Sequence, residues 1–98
     1  MEQLTQSIDV ITLCGADGTV RPLRLRLGNG EQSMRVDILR VVHTKEVSRP
    51  GSEGQIFDCF GRVGLLECRV EIKYCLRSHV WLLLRKSFLG FRFSNYGV

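Results

Sequence analysis

The 98-residue chain lacks any long apolar run and any sustained helical spacing of apolar residues. No stretch approaches the ~18 apolar residues of a membrane-spanning helix, so we expect no membrane partner. Apolar residues do not recur at positions i, i+3, i+4 and i+7, which indicates that helix is nearly absent. Residues 1–7 are polar and carry no basic-then-apolar run, so we expect a cytoplasmic protein with reduced cysteines rather than a secreted one.

Motifs that carry catalysis or bind metals and nucleotides are missing as well. There is no Gly-x-Ser-x-Gly elbow for a nucleophile and no Gly-x-x-x-x-Gly-Lys loop for a phosphate. The cysteines form no Cys-x-x-Cys pair, and the histidines are isolated from them in sequence. These residues are Cys14, Cys59, Cys68, Cys75, His43 and His79. We therefore expect a protein that is not an enzyme and that holds no metal and no cofactor.

The composition is that of a small globular protein. Hydrophobic residues make up 44% of the chain and charged residues 24%, which argues against disorder. The length suits one domain. We predict one β-barrel domain over residues 1–98, with its core at residues 7–86 and a C-terminal tail at residues 87–98. The net charge of +4 permits an anionic partner such as a nucleic acid, but it favours a solvated basic surface, because many small proteins without such a partner carry a similar charge.

Alternating residues on either side of Asn29-Gly30 predict a β-hairpin. Asn-Gly is the strongest signal for a two-residue turn, because both residues tolerate a positive φ. The cross-strand pairs that follow are Leu25 with Met34, Leu23 with Val36, Arg24 with Arg35, and Arg26 with Ser33. One face of this hairpin is then apolar and the other is basic.

Asp17-Gly18 is a second turn signal of the same kind. A two-residue turn there pairs Ile8 with Leu27, Asp9 with Arg26, Val10 with Leu25, and Ile11 with Arg24. The leucines that face inward in the first hairpin face inward again, so the two registers agree.

Further strands are predicted at residues 32–44, 55–60 and 66–76, with a loop at residues 48–54. The alternation slips at Leu39-Arg40, which favours a β-bulge there. Turns centred on Val63-Gly64 and Arg77-Ser78 set the remaining registers. The resulting pairs are Cys59 with Cys68, Phe57 with Val70, Asp58 with Arg69, Tyr74 with Trp81, and Ile72 with Leu83. Cys59 and Cys68 are then neighbouring free thiols on the inward face.

The predicted fold is all-β, with about six antiparallel strands in a meander that curls into a small open barrel of SH3-like or related type. Four segments carry a resemblance, namely Arg21-Pro22-Leu23, Asp37-Ile38, Glu71-Ile-Lys-Tyr74, and Leu76-Arg-Ser-His79 with Trp81. In these segments the chain resembles short uncharacterised bacterial proteins of small β-barrel type. The resemblance covers most of residues 8–86. It implies a bacterial cytoplasmic protein and carries over no catalytic or binding residue.

Two surfaces are candidates for function. The first is a basic strand face for an anion or a nucleic acid, because like charges opposed across strands are destabilising and an anionic ligand relieves this. Its residues are Arg21, Arg24, Arg26 and Arg35. The second is an interaction face of aliphatic side chains that point outward when Trp81 and Leu83 point inward. Its residues are Val80, Leu82 and Leu84.

We expect a non-enzymatic protein-interaction module that binds another protein or a second copy of itself. The alternative is a nucleic-acid-binding small β-barrel that uses the basic face. Single-strand binders also need exposed aromatic rings, and only Phe60 and the rings after residue 87 are exposed in these registers. Residues 88–96 are apolar enough to cover the aliphatic face in the same chain or in a partner. Otherwise a twofold dimer covers it.

Overall fold

The computed structural model describes residues 6–28 and 30–91, which form a closed antiparallel barrel of six strands. The strands are β1 (Gln6–Cys14), β2 (Val20–Leu27), β3 (Met34–Val47), β4 (Gly54–Val63), β5 (Leu66–Cys75) and β6 (Val80–Phe91). Each strand pairs with the next in sequence, and β1 pairs with β6. The prediction of an all-β meander of about six strands is confirmed, and the barrel is closed rather than open.

Inward-facing apolar side chains fill the barrel. The buried residues are Leu25, Leu27, Val36, Phe57, Cys59, Cys68, Val70, Ile72, Trp81 and Leu83. The Trp81 ring lies 5.5 Å from the Phe57 ring and 5.0 Å from the Tyr74 ring, measured between centroids. Among the described residues no polar or charged side chain is buried, so apolar packing holds the interior. Residues 6–28 and 30–91 contain no helix that is long and apolar enough to cross a membrane.

The β2–β3 connection is longer than the two-residue turn predicted at Asn29-Gly30. Residues 28–33 connect the strands, and Gly30–Gln32 form a turn of 3-10 helix, while Asn29 lies outside the described residues. The observed pairs are Arg24 with Asp37, Leu25 with Val36, Arg26 with Arg35, and Leu27 with Met34. The predicted register is therefore wrong by two positions. A shift of two leaves each side chain on its own face, so the predicted inward placement of Leu25 survives.

The β1–β2 register is as predicted away from the turn, although the turn itself is not. Residues 15–19 connect the strands, and Asp17 accepts hydrogen bonds from the Thr19 amide (3.1 Å) and hydroxyl (2.8 Å). The predicted pairs Asp9 with Arg26, Val10 with Leu25, and Ile11 with Arg24 are found, whereas the three pairs nearest the turn, from Thr12 with Pro22 to Cys14 with Val20, are displaced by one residue. A β-bulge at Leu23 adds one residue to β2 and cancels the one-residue shift that the longer turn introduces.

The same bulge reverses the orientation of Leu23. The sequence pattern predicts Leu23 inward opposite Val36, but the side chain is 41% exposed and Pro22 is buried instead. Proline has no N–H to donate, so it fits where a bulge interrupts the ladder of hydrogen bonds. The prediction for Leu23 is wrong because alternation cannot continue through a bulge.

The bulge predicted near Leu39-Arg40 is confirmed, since the β3–β4 register shifts between Ile38 and Arg40.

The predicted register of the last hairpin is confirmed as well, with Tyr74 opposite Trp81 and Ile72 opposite Leu83. The positive φ in that turn falls on His79, at 59°.

The predicted Cys59–Cys68 pair is wrong. The β4–β5 turn is Gly64-Leu65, with Gly64 at φ 60° in the first position, where a type II′ turn requires glycine. Cys59 therefore lies opposite Val70, and Cys68 lies opposite Gly61. Both cysteines are still buried on the inward face, and both are free.

Strand β6 continues through part of the predicted tail. It pairs with β5 as far as Phe91 opposite Leu66. Phe88 and Leu89 therefore extend the sheet, 46% and 52% exposed, rather than folding back over it. The rest of the predicted tail, residues 92–98, lies outside the described residues.

Thiol labelling tests the inward placement of the cysteines. Burial raises the pKa of the Cys59 thiol to about 12 and also raises the pKa of Cys68. Because the thiolate is the reactive form, we expect iodoacetamide to modify the exposed Cys14 in the native protein and these two only after unfolding in urea. Peptide mass spectrometry locates the label, and Cys14→Ser/Cys75→Ser removes the native signal, because Cys75 is the other free cysteine that is not fully buried. Labelling of native Cys59 as fast as Cys14 contradicts the fold.

Close packing at Gly61 gives a second test. A Cβ added there would lie 2.7 Å from Cγ1 of Val36 and 3.1 Å from the Asp37 carbonyl oxygen. We expect Gly61→Ala to lower the free energy of unfolding by about 1–3 kcal/mol. Urea denaturation measures the loss. Leu65→Ala, at a side chain that is 64% exposed, serves as the control and changes stability by less than about 0.5 kcal/mol.

A double variant shows whether this contact is the cause. Val36→Ala removes the Cγ1 atom, so the loss in Val36→Ala/Gly61→Ala is expected to be smaller than the sum of the two single losses. Strictly additive losses mean that the two residues do not meet in the folded barrel.

Candidate interaction site

The predicted anion-site arginines lie on the outer face of β2 and β3, and two of them share one carboxylate. Arg24 lies opposite Asp37, and its Nε donates a hydrogen bond of 3.0 Å to Asp37 Oδ1. Arg35 Nε lies 3.5 Å from the same oxygen. The predicted opposition of Arg24 and Arg35 is therefore wrong, because the two-residue register shift places Asp37 opposite Arg24.

The structure contains a different like-charge pair, since Arg26 lies opposite Arg35. Within the described part of the chain the Arg26 side chain forms no hydrogen bond or ion pair, not even with Asp9 opposite it in β1. A shallow cavity of about 320 Å³ is lined by both arginines, Asp9 and Ser33. Opposed like charges destabilise a sheet, so the positive electrostatic potential of Arg26 and Arg35 favours the binding of an anionic group. Arg21 is exposed farther along β2.

Three exposed aliphatic side chains stand on the outside of the β1–β2 hairpin. We name Ile11, Leu13 and Leu23 the aliphatic cluster; they are 54%, 48% and 41% exposed. Ile11 and Leu13 alternate along β1 with half-buried residues, and the β2 bulge turns Leu23 to the same side. Arg24 lies opposite Ile11, and Arg21 lies opposite Leu13, so cations border the cluster.

Sequence reasoning missed this cluster because it placed Leu23 inward. The available signal was Pro22, which interrupts regular pairing between two strand segments. Recognising a bulge there would have turned Leu23 outward, toward the face that already held Ile11.

The predicted interaction face on β6 is less open than expected. Val80, Leu82 and Leu84 are all half-buried. Closure of the barrel sets Ser7 of β1 beside Leu82 on one side and Lys73 of β5 on the other. The register then shifts at Leu84, so the three side chains do not form one regular row. The largest exposed aliphatic group on paired neighbouring strands is the aliphatic cluster instead.

Part of the outer face of β3, β4 and β5 is occupied by contacts between its own side chains. Arg69 donates hydrogen bonds from Nε and a terminal nitrogen to the two Asp58 carboxylate oxygens, at 2.9 and 2.8 Å. The Arg69 and Arg40 guanidiniums lie 4.8 and 5.2 Å from the centroid of the Phe60 ring. Phe60, the aromatic ring expected to be free for base stacking, therefore already contacts two cations of its own chain.

Reactive groups are kept apart. Burial raises the pKa of the Cys59 and Cys68 thiols, which removes the thiolate needed for nucleophilic attack. His79 Nδ1 lies 2.9 Å from the Tyr74 hydroxyl and is engaged there. Within residues 6–28 and 30–91 no three histidine, cysteine or acidic side chains are grouped so that they could hold a metal ion. The chemistry that the described surface offers is apolar contact and charge pairing.

The Asp58–Arg69 pair makes stability depend on pH. Hydrogen bonds from Arg69 hold the pKa of Asp58 below its ordinary value of 3.8. A carboxyl with a lowered folded-state pKa stabilises the fold above its unfolded-state pKa, and this contribution is lost as the pH falls through the folded-state value. We expect wild type to exceed Asp58→Asn in stability above about pH 5 and the difference to close below the pKa of folded Asp58.

Urea unfolding across this pH range measures that difference. NMR titration of the Asp58 carboxyl gives the cause directly, because Arg69→Gln is expected to move its midpoint up toward 3.8, whereas Arg49→Gln in the β3–β4 loop leaves it in place. A midpoint that does not respond to Arg69→Gln contradicts the pairing.

Comparisons of this chain with protein-family models, with curated proteins and with solved structures found no match. What the protein does is therefore inferred from its own surface.

Proposed function

We propose that this chain is a non-enzymatic protein-interaction module that binds another protein through the aliphatic cluster. The observation that carries the proposal is the exposure of three large aliphatic side chains, at 54%, 48% and 41%, on two paired strands. Contiguous exposed apolar side chains bordered by polar ones are typical of protein-binding surfaces.

The barrel is a suitable support for such a surface. β2 is hydrogen-bonded to β1 on one side and to β3 on the other, and Leu25 beneath the cluster is buried. Side chains on a paired strand lose less conformational freedom on binding than side chains on a loop. More of the free energy of apolar burial then remains as affinity.

A second copy of the chain fits this surface poorly. In a twofold contact the same surface meets itself, so a face with a net positive charge would meet a second net positive face. The like-charge pair of Arg26 and Arg35 adds to the repulsion. The proposal is therefore a different protein as partner. The bacterial cytoplasmic setting implied by the resemblance stays a prediction.

Nucleic-acid binding through the basic face is the second candidate, and the opposed pair Arg26–Arg35 is the observation in its favour. Two features favour protein binding over it. The centre of the surface is aliphatic rather than aromatic, and Phe60 already contacts two arginines of its own chain. Sequence-independent binding of single strands relies on free aromatic rings for stacking.

Selection from a displayed library of random peptides tests the proposal. We expect wild type to enrich binding peptides whose affinity falls at least about tenfold in Ile11→Thr/Leu13→Thr/Leu23→Thr, since threonine keeps strand propensity and removes apolar area. The matched control is Leu39→Thr/Val42→Thr/Leu65→Thr, which alters three aliphatics that are 44%, 43% and 64% exposed elsewhere on the barrel. Peptides that bind both triple variants equally contradict the proposal.

A separate experiment tests nucleic-acid binding through the basic face. A gel shift with single-stranded RNA and DNA is run at two salt concentrations, because phosphate contacts give affinities that fall steeply with salt. A low-salt shift that disappears in Arg26→Gln/Arg35→Gln and persists in the aliphatic triple variant favours nucleic-acid binding instead.

A further inference from the structure

We infer that the segment bound at the aliphatic cluster is extended and acidic, with the order apolar-x-apolar-x-acidic. This inference rests on the proposed function and adds the chemistry of the partner. It comes from the way charge and apolar side chains are spaced along β1 and β2.

Positive charge is in excess on the outer face of β1, β2 and β3. Asp9 and Asp37 stand against four arginines, and Asp37 is already engaged by two of them. The four are Arg21, Arg24, Arg26 and Arg35. A partner that brings carboxylates is therefore attracted to this face, and a basic partner is repelled.

One position on the face favours a carboxylate most. Arg26 and Arg35 face each other; Arg26 has no partner among the described side chains, while Arg35 lies 3.5 Å from Asp37. The open cavity of about 320 Å³ beside them has room for a carboxylate side chain. Asp9 also lines it but forms no ion pair with Arg26, so the lining keeps a net positive charge toward an incoming group. A carboxylate there accepts charge-assisted hydrogen bonds and relieves the repulsion.

The spacing then sets the order of residues in the partner. Leu13, Ile11 and Asp9 follow one another at two-residue steps on the outer side of β1, and Arg26 lies opposite Asp9. Two residues of a β-strand span about 6.8 Å. An extended segment lying over β1 and β2 has the same repeat, so alternate side chains lie over Leu13, then Ile11, then the position where Asp9 faces Arg26. The first two positions call for apolar side chains. At the third, Arg26 and Arg35 outnumber Asp9, so an acidic side chain directed toward the two arginines is favoured.

Neither a nucleic acid nor a second copy matches this order. A phosphate backbone would pair with the arginines but would leave Ile11 and Leu13 without apolar contacts. A second copy brings a second face with a net positive charge. A peptide with both apolar and acidic residues offers contacts to the aliphatic cluster and to the neighbouring arginines.

Four synthetic fluorescein-labelled peptides test the inference, each with serine at the odd positions. The reference peptide carries leucine at positions 2 and 4 and glutamate at positions 6 and 8. The others replace both glutamates by glutamine, both glutamates by lysine, or both leucines by serine. Each is also made in reverse order, so that both directions along β1 are tested. Fluorescence anisotropy measures the dissociation constants.

We expect the leucine–glutamate peptide to bind about tenfold more tightly than the leucine–glutamine peptide, with an advantage that shrinks at high salt. The leucine–lysine and serine–glutamate peptides bind more weakly still. Arg26→Gln/Arg35→Gln is expected to abolish the preference for glutamate while leaving the glutamine peptide unaffected. Arg49→Gln/Arg77→Gln removes the same charge from exposed loop positions and should keep the preference.

The outcomes separate the two claims. If the leucine–glutamate and leucine–glutamine peptides bind equally and neither binds the aliphatic triple variant, the interaction module stands and the acidic preference is overturned. If the aliphatic triple variant binds every peptide with the same dissociation constant as wild type, both the proposed interaction module and the acidic preference are contradicted. A single-stranded oligonucleotide that displaces the reference peptide, and that binds with a steep salt dependence independent of the aliphatic cluster, overturns the acidic-peptide assignment in favour of nucleic acid.

Discussion

The pairing of β1 with β6 is the constraint on which the rest of the structure depends. Only three described residue pairs make this seam, the last of them Ile8 with Trp81. It converts a meander with two exposed edges into a closed barrel, whose interior is filled by side chains such as Trp81 and Leu83. Closure also brings Ser7 against Leu82, and it holds the β1–β2 hairpin, with its outer aliphatic side chains, against a packed core.

The β-bulges determine which side chains of this barrel are exposed to solvent. The bulge at Leu23 changes an inward leucine into an outward one and buries Pro22 in its place. The shift at Leu84 breaks the aliphatic row of β6, and the shift at Leu39 leaves that side chain 44% exposed. Each bulge adds a residue to one strand, so inside and outside exchange beyond it. The candidate surface exists because one of these exchanges falls beside Ile11 and Leu13.

Charge divides the outer wall into two regions. On β3 to β5, Asp58 is paired with Arg69, and the Phe60 ring contacts Arg40 and Arg69. On β1 to β3, the Asp37 carboxylate interacts with both Arg24 and Arg35. Among the described side chains Arg26 has no acidic partner, and it lies opposite Arg35. The unbalanced region borders the aliphatic cluster, so apolar contact and electrostatic attraction act at the same place. That coincidence distinguishes this surface from the exposed leucines elsewhere on the barrel.

The sequence by itself determined which side chains face inward along each regular stretch, because a strand alternates with a period of two. Leu25, Phe57, Cys59 and Ile72 could be assigned in this way, and the arginines of β2 could be placed outside. Only the tertiary structure decided which residues meet across strands, since that depends on loop length, and a six-residue connection replaced the expected Asn-Gly turn. Arg24 therefore meets Asp37 rather than Arg35, and Leu23 joins Ile11 outside. A pattern of period two is unchanged by a register shift of two and carries no information on where a bulge will interrupt it.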